Sequence, residues 1–283
     1  MSAAVANAPA STVDRIDLDA YFARIRWSAP TSPTYDTLAG LLRSHMRAIP
    51  FENLDVLLGR GIRLDLAALQ EKLVGARRGG YCFEHATLFA AVLEAVGFAP
   101  VRHSARVVLF APRTASPRTH MFLTVALAEG TFILDPGFGG LAPAFPVPLA
   151  NRRDEAAAGE AHWMARDGDY WVLRARTDAG AVDCWVTALE ADNPMDFAVA
   201  NHYTSTHPAS PFVNRIMLRA LTDEGRVTVT NREVAVREAG ALRTWELADR
   251  AALRALLARH FGFDLPQAES LRVPSIEEWR ETT

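Results

Sequence analysis

Two glycines, Gly79 and Gly80, run directly into Tyr81-Cys82-Phe83-Glu84-His85, a segment whose pattern opens a helix. A cysteine in the first turn of a helix meets unpaired backbone N–H groups and the positive end of the helix dipole. Both favour an anion, so Cys82 is a candidate thiolate nucleophile. The same N–H groups can stabilise the oxyanion that forms when a thioester carbonyl is attacked. A lone cysteine is more often an inert core residue. The glycine-to-helix setting separates Cys82 from the other cysteine, Cys184, which lies in the apolar run Val182–Thr187.

A cysteine nucleophile needs a base, and the base needs a group that fixes its tautomer and stabilises the imidazolium. Of the eight histidines, His45 and His85 fall within helical patterns, and His103, His162 and His260 have no polar constellation around them. His120 stands at the entrance to the strand pattern Met121–Leu127, and Asp135 at the exit from the next one, Thr131–Leu134. The hairpin between them brings both residues toward one end. A turn of even length would put this even-numbered and odd-numbered pair on one face, whereas the three residues Ala128-Glu129-Gly130 would need a bulge, so counting leaves the register open. Taken alone, Asp135 reads as a turn residue ahead of Pro136-Gly137.

The surrounding elements follow from apolar spacing. Asp17 is a plausible N-cap for a helix burying Leu18, Tyr21, Phe22 and Ile25; a second carries Leu38, Leu41, Leu42 and Met46 inward and stops before Pro50. Asp65 opens a third helix that Gly75 closes, and the fourth runs from Gly79-Gly80 through Leu88, Phe89, Val92, Leu93 and Val96 to Gly97. From Val101 the pattern turns to short strands at Val107–Phe110, Met121–Leu127, Thr131–Leu134, Tyr170–Ala175 and Val182–Thr187, with a long surface loop expected over Pro143–Glu160. After Asn201 come a Ser/Thr/Pro-rich loop, strands near Ile216–Leu221 and Val227–Thr230, and a helix from about Leu247 to His260. The expected organisation is a disordered tail over 1–12, a helical bundle carrying the nucleophile over 13–98, a β domain carrying His120 and Asp135 over 99–200, and a mixed α/β end over 201–283.

With 283 residues, 49% hydrophobic and 22% charged, the chain can bury a sizeable core. A formal charge of −3 supplies no basic field, so nucleic acid and anionic membranes are poor partners and a small molecule fits better. No apolar stretch reaches a membrane span, and two cysteines in such a length suggest neither secretion nor a disulfide scaffold; the expected location is the cytoplasm.

Four segments, Pro50-Phe51-Glu52-Asn53-Leu54-Asp55, Arg78-Gly79-Gly80-Tyr81-Cys82-Phe83-Glu84, Thr119-His120-Met121 and Asp135-Pro136-Gly137-Phe138-Gly139, together resemble the arylamine N-acetyltransferase family in order and spacing. Asn201–Phe212 and His260–Leu265 resemble its later regions, so the likeness covers nearly the whole chain beyond the tail. Pro136 departs from the aliphatic residue many members carry there. The resemblance implies an α+β, multidomain fold with an N-terminal helical bundle, a central β barrel and a C-terminal α/β lid around a cysteine-protease-like Cys-His-Asp core. It further implies Cys82, His120 and Asp135 as a catalytic triad, and acetyl-CoA as co-substrate with no metal. The implied acceptor is an arylamine or hydrazine contacted through Phe138 and Tyr81, and Glu52 and Arg78 become structural support for the nucleophile's helix.

No phosphate-cradling glycine loop is present, so CoA recognition falls to dispersed groups, of which Thr204, Thr206, His207 and Ser210 offer hydroxyls and an imidazole. The residues leave three other readings open: an amide synthase of the same family, a Cys-His-Asp amide hydrolase or transglutaminase-like enzyme, and an inactive scaffold that binds aromatic ligands.

Overall fold

A computed structural model describes residues 15–151, 161–222, 225–277 and 279; the tail expected over 1–12 and part of the expected 143–160 loop lie outside them. Asp17 caps α1 (Leu18–Ile25), its carboxylate accepting from the Ala20 N–H at 2.9 Å. The next helix, α2 (Tyr35–Ala48), starts from the Thr34 cap and stops ahead of Pro50. The apolar pattern does not announce α3 (Leu54–Leu57), a single turn entered through Glu52, whose Oε2 accepts from Leu54 N at 2.7 Å. Opening at Asp65, α4 (Leu66–Leu69) continues as a π-helical turn over Gln70–Gly75. In α5 (Cys82–Ala95) the cysteine occupies the first position, and Glu84 reaches back to the Tyr81 N–H at 3.0 Å.

Among the described residues, seven strands follow: β1 (Pro100–Val107), β2 (Arg118–Leu127), β3 (Gly130–Leu134), β4 (Val147–Pro148), β5 (His162–Asp167), β6 (Tyr170–Thr177) and β7 (Gly180–Thr187). They form one antiparallel sheet in the order β4-β3-β2-β1-β7-β6-β5, and its two edges approach each other, so the sheet is a nearly closed barrel. The strand expected at Val107–Phe110 is displaced. The ladder takes Pro100–Val107, bulges between Ala105 and Arg106, and releases the chain before Phe110, which ends 91% exposed. Between β2 and β3 the turn is two residues, Ala128-Glu129, because Leu127 pairs with Gly130. That register sets Leu123 against Leu134, which places Asp135 opposite Phe122 and therefore on the face that His120 shares.

Beyond the barrel lie α6 (Pro194–Thr206), α7 (Pro211–Asn214), a four-stranded sheet in the order β11-β10-β9-β8, and α8 (Arg250–Leu256), which runs into a π-helical turn over Leu257–Phe261. The strands are β8 (Met217–Leu221), β9 (Gly225–Thr230), β10 (Glu233–Glu238) and β11 (Ala241–Glu246). The segment after Asn201, expected as a loop, is helical as far as Thr206. Its hydroxyls do not compete with the helix: Thr204, Ser205 and Thr206 each donate to the carbonyl four residues back, at 2.6–2.8 Å. The boundary expected at 200/201 thus falls inside α6. The last helix starts at Arg250 rather than Leu247 because Asp249 caps it, accepting from Ala252 N at 2.7 Å.

The bundle core is crossed by a hydrogen-bonded line of polar groups. Tyr21 Oη lies 2.8 Å from His45 Nδ1, His45 Nε2 lies 2.8 Å from His85 Nδ1, and His85 Nε2 lies 3.2 Å from the Pro50 carbonyl. A carbonyl only accepts, so His85 Nε2 donates to it, His45 Nε2 donates to His85, and Tyr21 donates to His45. The order requires both rings to be neutral. Burial holds His45 well below its usual range and His85 at about 4, with the facing His85 ring adding to the first effect. Both histidines therefore protonate in the unfolded chain near 6.5 but not in the fold. Stability should fall as the pH drops from about 6.5 to about 4, each ring contributing a slope of about 1.4 kcal/mol per pH unit at most. Denaturant melts across that window should show the slope reduced in His85→Gln; an unchanged slope would contradict the assignment.

Candidate active site

Cys82 reaches its position through a chain of close backbone contacts. A methyl group on Gly79 would stand 2.1 Å from the Pro50 carbonyl oxygen, so only glycine lets the segment before the helix press against Pro50. Beneath that approach lies a cluster of buried charges. Arg78 donates through Nε (3.0 Å) and Nη2 (2.6 Å) to Glu52 Oε1, and through Nη2 to Asp55 Oδ1 at 3.2 Å. Lys72 Nζ lies 2.8 Å from Asp55 and 2.7 Å from Glu84. Burial disfavours the Lys72 ammonium, but Glu84, Glu52 and Asp55 outweigh it and raise its pKa. Glu52 and Arg78 thus sit together, and Glu84 joins their network to the first turn of α5.

His120 enters from β2 and Asp135 from the end of β3. His120 Nε2 is 2.8 Å from Asp135 Oδ2, and the Cys82 side chain, whose Sγ donates to the Thr119 carbonyl next to His120 at 3.8 Å, is the other group that favours the protonated ring. Cys82 is 3%, His120 3% and Asp135 0% exposed. Burial opposes a charged ring, yet the Asp135 carboxylate overrides it, aided by its hydrogen bond and by Cys82, and His120 is held up at about 10. An imidazolium is therefore maintained at neutral pH beside the thiol. The other carboxylate contact is one that the apolar pattern conceals: Trp185 Nε1 donates to Asp135 Oδ2 at 2.9 Å, its ring stacked on Phe122 at 4.4 Å. A tryptophan within a run of strand residues gives no sign in the sequence that its N–H faces a carboxylate. Among the described residues, Asp135 Oδ1 has no hydrogen-bond partner.

Gly137 brings the two arms together. A methyl group there would meet Cys82 Cα at 2.5 Å, so the loop after Asp135 lies directly on the backbone of Cys82. The pattern Asp135-Pro136-Gly137 therefore does more than make a turn. Phe138, half-buried, sets its ring edge-on to His120 at 5.0 Å between centroids. Tyr81 is 0% exposed, and its hydroxyl bonds the Asn201 side chain, so the phenol is enclosed next to the site rather than presented in it. Thr204 and Ser210 are also buried and donate to the Ala200 and Thr204 carbonyls. Thr206 and His207 are exposed at the end of α6, where His207 stacks on Tyr203.

A cysteine at a helix start, closed against an imidazole–carboxylate pair on a barrel, is the arrangement of enzymes that pass acyl groups through a thiol. A family model described as N-acetyltransferase matches residues 34–270. The arylamine N-acetyltransferase of Mycobacterium tuberculosis is 39% identical over 88% of this chain and 90% of its own. A Salmonella typhimurium relative named arylamine N-acetyltransferase / N-hydroxyarylamine O-acetyltransferase is 37% identical over 87% and 88%. The Mycobacterium marinum arylamine N-acetyltransferase structure in complex with CoA superposes with a TM-score of 0.83 at 35% identity, over 89% of this chain and 94% of that one. The chain is an acyltransferase and belongs to the arylamine N-acetyltransferase family.

The elevated His120 pKa has a direct reporter. An imidazolium beside a thiolate attracts an anionic alkylating agent, so iodoacetate should outpace iodoacetamide at Cys82 relative to a free thiol until His120 deprotonates at about 10. Asp135→Asn removes the dominant raising influence, and the loss of that advantage should move down toward about 6.5, with kcat/KM lowered on the order of 10³- to 10⁴-fold. The same rate ratio in both proteins across pH 6 to 10 would rule out the electrostatic role given to Asp135.

Proposed function

We propose that this protein acetylates arylamines and arylhydrazines with acetyl-CoA as donor, by a two-step exchange through an S-acetyl group on Cys82. The observation that carries the reading is the hydrogen-bonded His120–Asp135 pair set beside Cys82, with Gly137 packed on the Cys82 backbone, in a chain of this family.

In the first step the Cys82 thiolate attacks the thioester carbonyl, and backbone N–H groups at the start of α5 face the oxyanion. The carbon–sulfur bond to CoA then breaks, the departing sulfur takes the proton from His120, and CoA leaves with Cys82 acetylated. In the second step the amine nitrogen attacks the S-acetyl carbonyl while neutral His120 accepts its proton. The bond to Cys82 breaks, and the thiolate is again paired with the imidazolium. Asp135 holds the ring through Nε2 in both steps, which leaves the other nitrogen toward Cys82.

Phe138 supplies an aromatic edge for a flat acceptor beside His120. Thr206 and His207 present exposed polar groups for CoA, whereas Thr204 and Ser210 shape the end of α6 and the start of α7 behind them. O-acetylation of N-hydroxyarylamines belongs to the same scheme, with a hydroxyl oxygen attacking in place of nitrogen, and the name of the Salmonella typhimurium relative favours it. We place the protein in the cytoplasm: its two cysteines are free, and among the described residues no helix is long and apolar enough to cross a membrane.

Incubation with acetyl-CoA alone should add one acetyl group to the intact protein, located on Cys82 by peptide mapping. Addition of an arylamine should discharge it and release the N-acetyl product. An unmodified Cys82, or a label that hydrolyses at the same rate with and without amine, would overturn the reading.

A further inference from the structure

Arg219 lies on β8, only 8% exposed, and no step of the reaction described above uses it. Its backbone pairs with Phe51 in both directions, N–H to Phe51 O at 2.9 Å and carbonyl from Phe51 N at 2.8 Å. Phe51 in turn bridges to Gly80, and the neighbouring Glu52 N donates to Gly80 O at 2.8 Å, two residues ahead of Cys82. The Arg219 side chain extends to the other arm of the site. Its Nη1 donates to the Gly139 carbonyl, with the Ala142 carbonyl at 3.5 Å. This is the turn that follows Asp135-Pro136-Gly137-Phe138. One residue therefore grips both the segment that presents Cys82 and the segment that presents Asp135.

Two buried polar atoms lack partners here. Among the described residues, Arg219 Nε has no hydrogen bond, and neither has Asp135 Oδ1. A buried cation and a buried carboxylate that are each incompletely satisfied are costly alone and tolerated when the charges compensate, and the Asp135 charge does act on Arg219 against burial. The other titratable groups that feel the Asp135 charge are His120 from β2, which it hydrogen-bonds, His85 from α5, His162 from β5 and Cys184 from β7. Burial keeps His85 and His162 uncharged at neutral pH, and it pushes the Cys184 thiol up to about 12. Arg226 on β9 faces Arg219 and His162. Arg219 itself remains charged up to about 10, drawn down by burial and Arg226 against the pull of Asp135. Among these neighbours it is the cation under the influence of Asp135 whose charge does not depend on the catalytic cycle.

We propose that Arg219 is a positioning residue of the reaction. It locks the turn behind Asp135 to the segment that leads into the nucleophile's helix, and its charge faces the Asp135 carboxylate while His120 is neutral. The proposal rests on the triad reading given above. When His120 passes its proton to the CoA sulfur, the buried carboxylate loses its mobile counter-charge, and Arg219 is what remains. Without that charge the carboxylate holds the imidazolium more tightly, so His120 should be harder to deprotonate and slower to act as a base toward the amine.

The test compares Arg219→Gln, which keeps an N–H donor and loses the charge, with Arg219→Lys, which keeps the charge and loses the guanidinium geometry. The readouts are the iodoacetate-to-iodoacetamide rate ratio at Cys82 across pH and the steady-state constants for an arylamine. In R219Q the pH at which the iodoacetate advantage disappears should rise by about half a unit or more, and kcat should fall on the order of tenfold. In R219K that pH should match the wild type, while KM for the amine rises because the turn bearing Phe138 is less firmly held. If R219Q folds with the wild-type pH midpoint and kcat, whatever its melting temperature, the proposal fails. It also fails if R219K shifts the midpoint, an outcome that decides the matter even where R219Q does not fold. Failure of the triad reading is separately visible: wild type and Asp135→Asn would then share one profile.

Discussion

The Asp135 carboxylate has no access to solvent, and a buried carboxylate must be compensated or the fold loses several kcal/mol. His120 supplies the compensation, and in doing so it acquires a proton that an isolated imidazole would give up near neutral pH. The chemistry follows from this exchange. In the proposed reaction, the ring held protonated beside Cys82 hands its proton to the departing sulfur. Trp185 adds a neutral donor to the oxygen that His120 already holds and fixes the carboxylate's direction without adding charge.

Such a pair is effective only if the thiol is delivered to it within hydrogen-bonding reach, and this explains the density of constraints around the first turn of α5. Glycine at position 79 lets the chain press against Pro50, and glycine at 137 lets the loop after Asp135 rest on Cys82 itself. The charges of Glu52, Arg78, Asp55, Lys72 and Glu84 lie under the same turn, each with at least one opposite partner. Breaking such a cluster from one side leaves a buried charge unpaired, at a cost of roughly 3 to 5 kcal/mol. The helix N-terminus is thus the fixed reference of the site, and the barrel end is fitted onto it.

Much of this can be read from the residues. Helix boundaries at Asp17, Pro50, Asp65 and Gly79-Gly80 are set by local caps and breakers, and the structure places them there. Cys82 declares itself through its position in a helix. His120 and Asp135 do not, because their meeting depends on a strand register that one turn residue decides: with Gly130 in the ladder the two share a face, and with Gly130 in the loop they would need a bulge. The helix running to Thr206 was concealed by its hydroxyl residues, which favour loops unless they bond back along the helix as they do here. Trp185, Arg219 and the contact of Gly137 with Cys82 depend on chain segments 50 to 80 residues away from their partners, a separation that no local pattern encodes.

The central claim is that His120 is an imidazolium at neutral pH because Asp135 holds it so. Nitrogen-15 NMR of protein labelled in the histidine rings measures this directly, since both ring nitrogens of a protonated imidazole carry hydrogens and the neutral tautomers show one bare nitrogen. The account predicts that His120 remains doubly protonated at pH 8 and titrates with a midpoint near 10. A neutral His120 ring at pH 8, titrating near the ordinary histidine value of about 6.5, would contradict it.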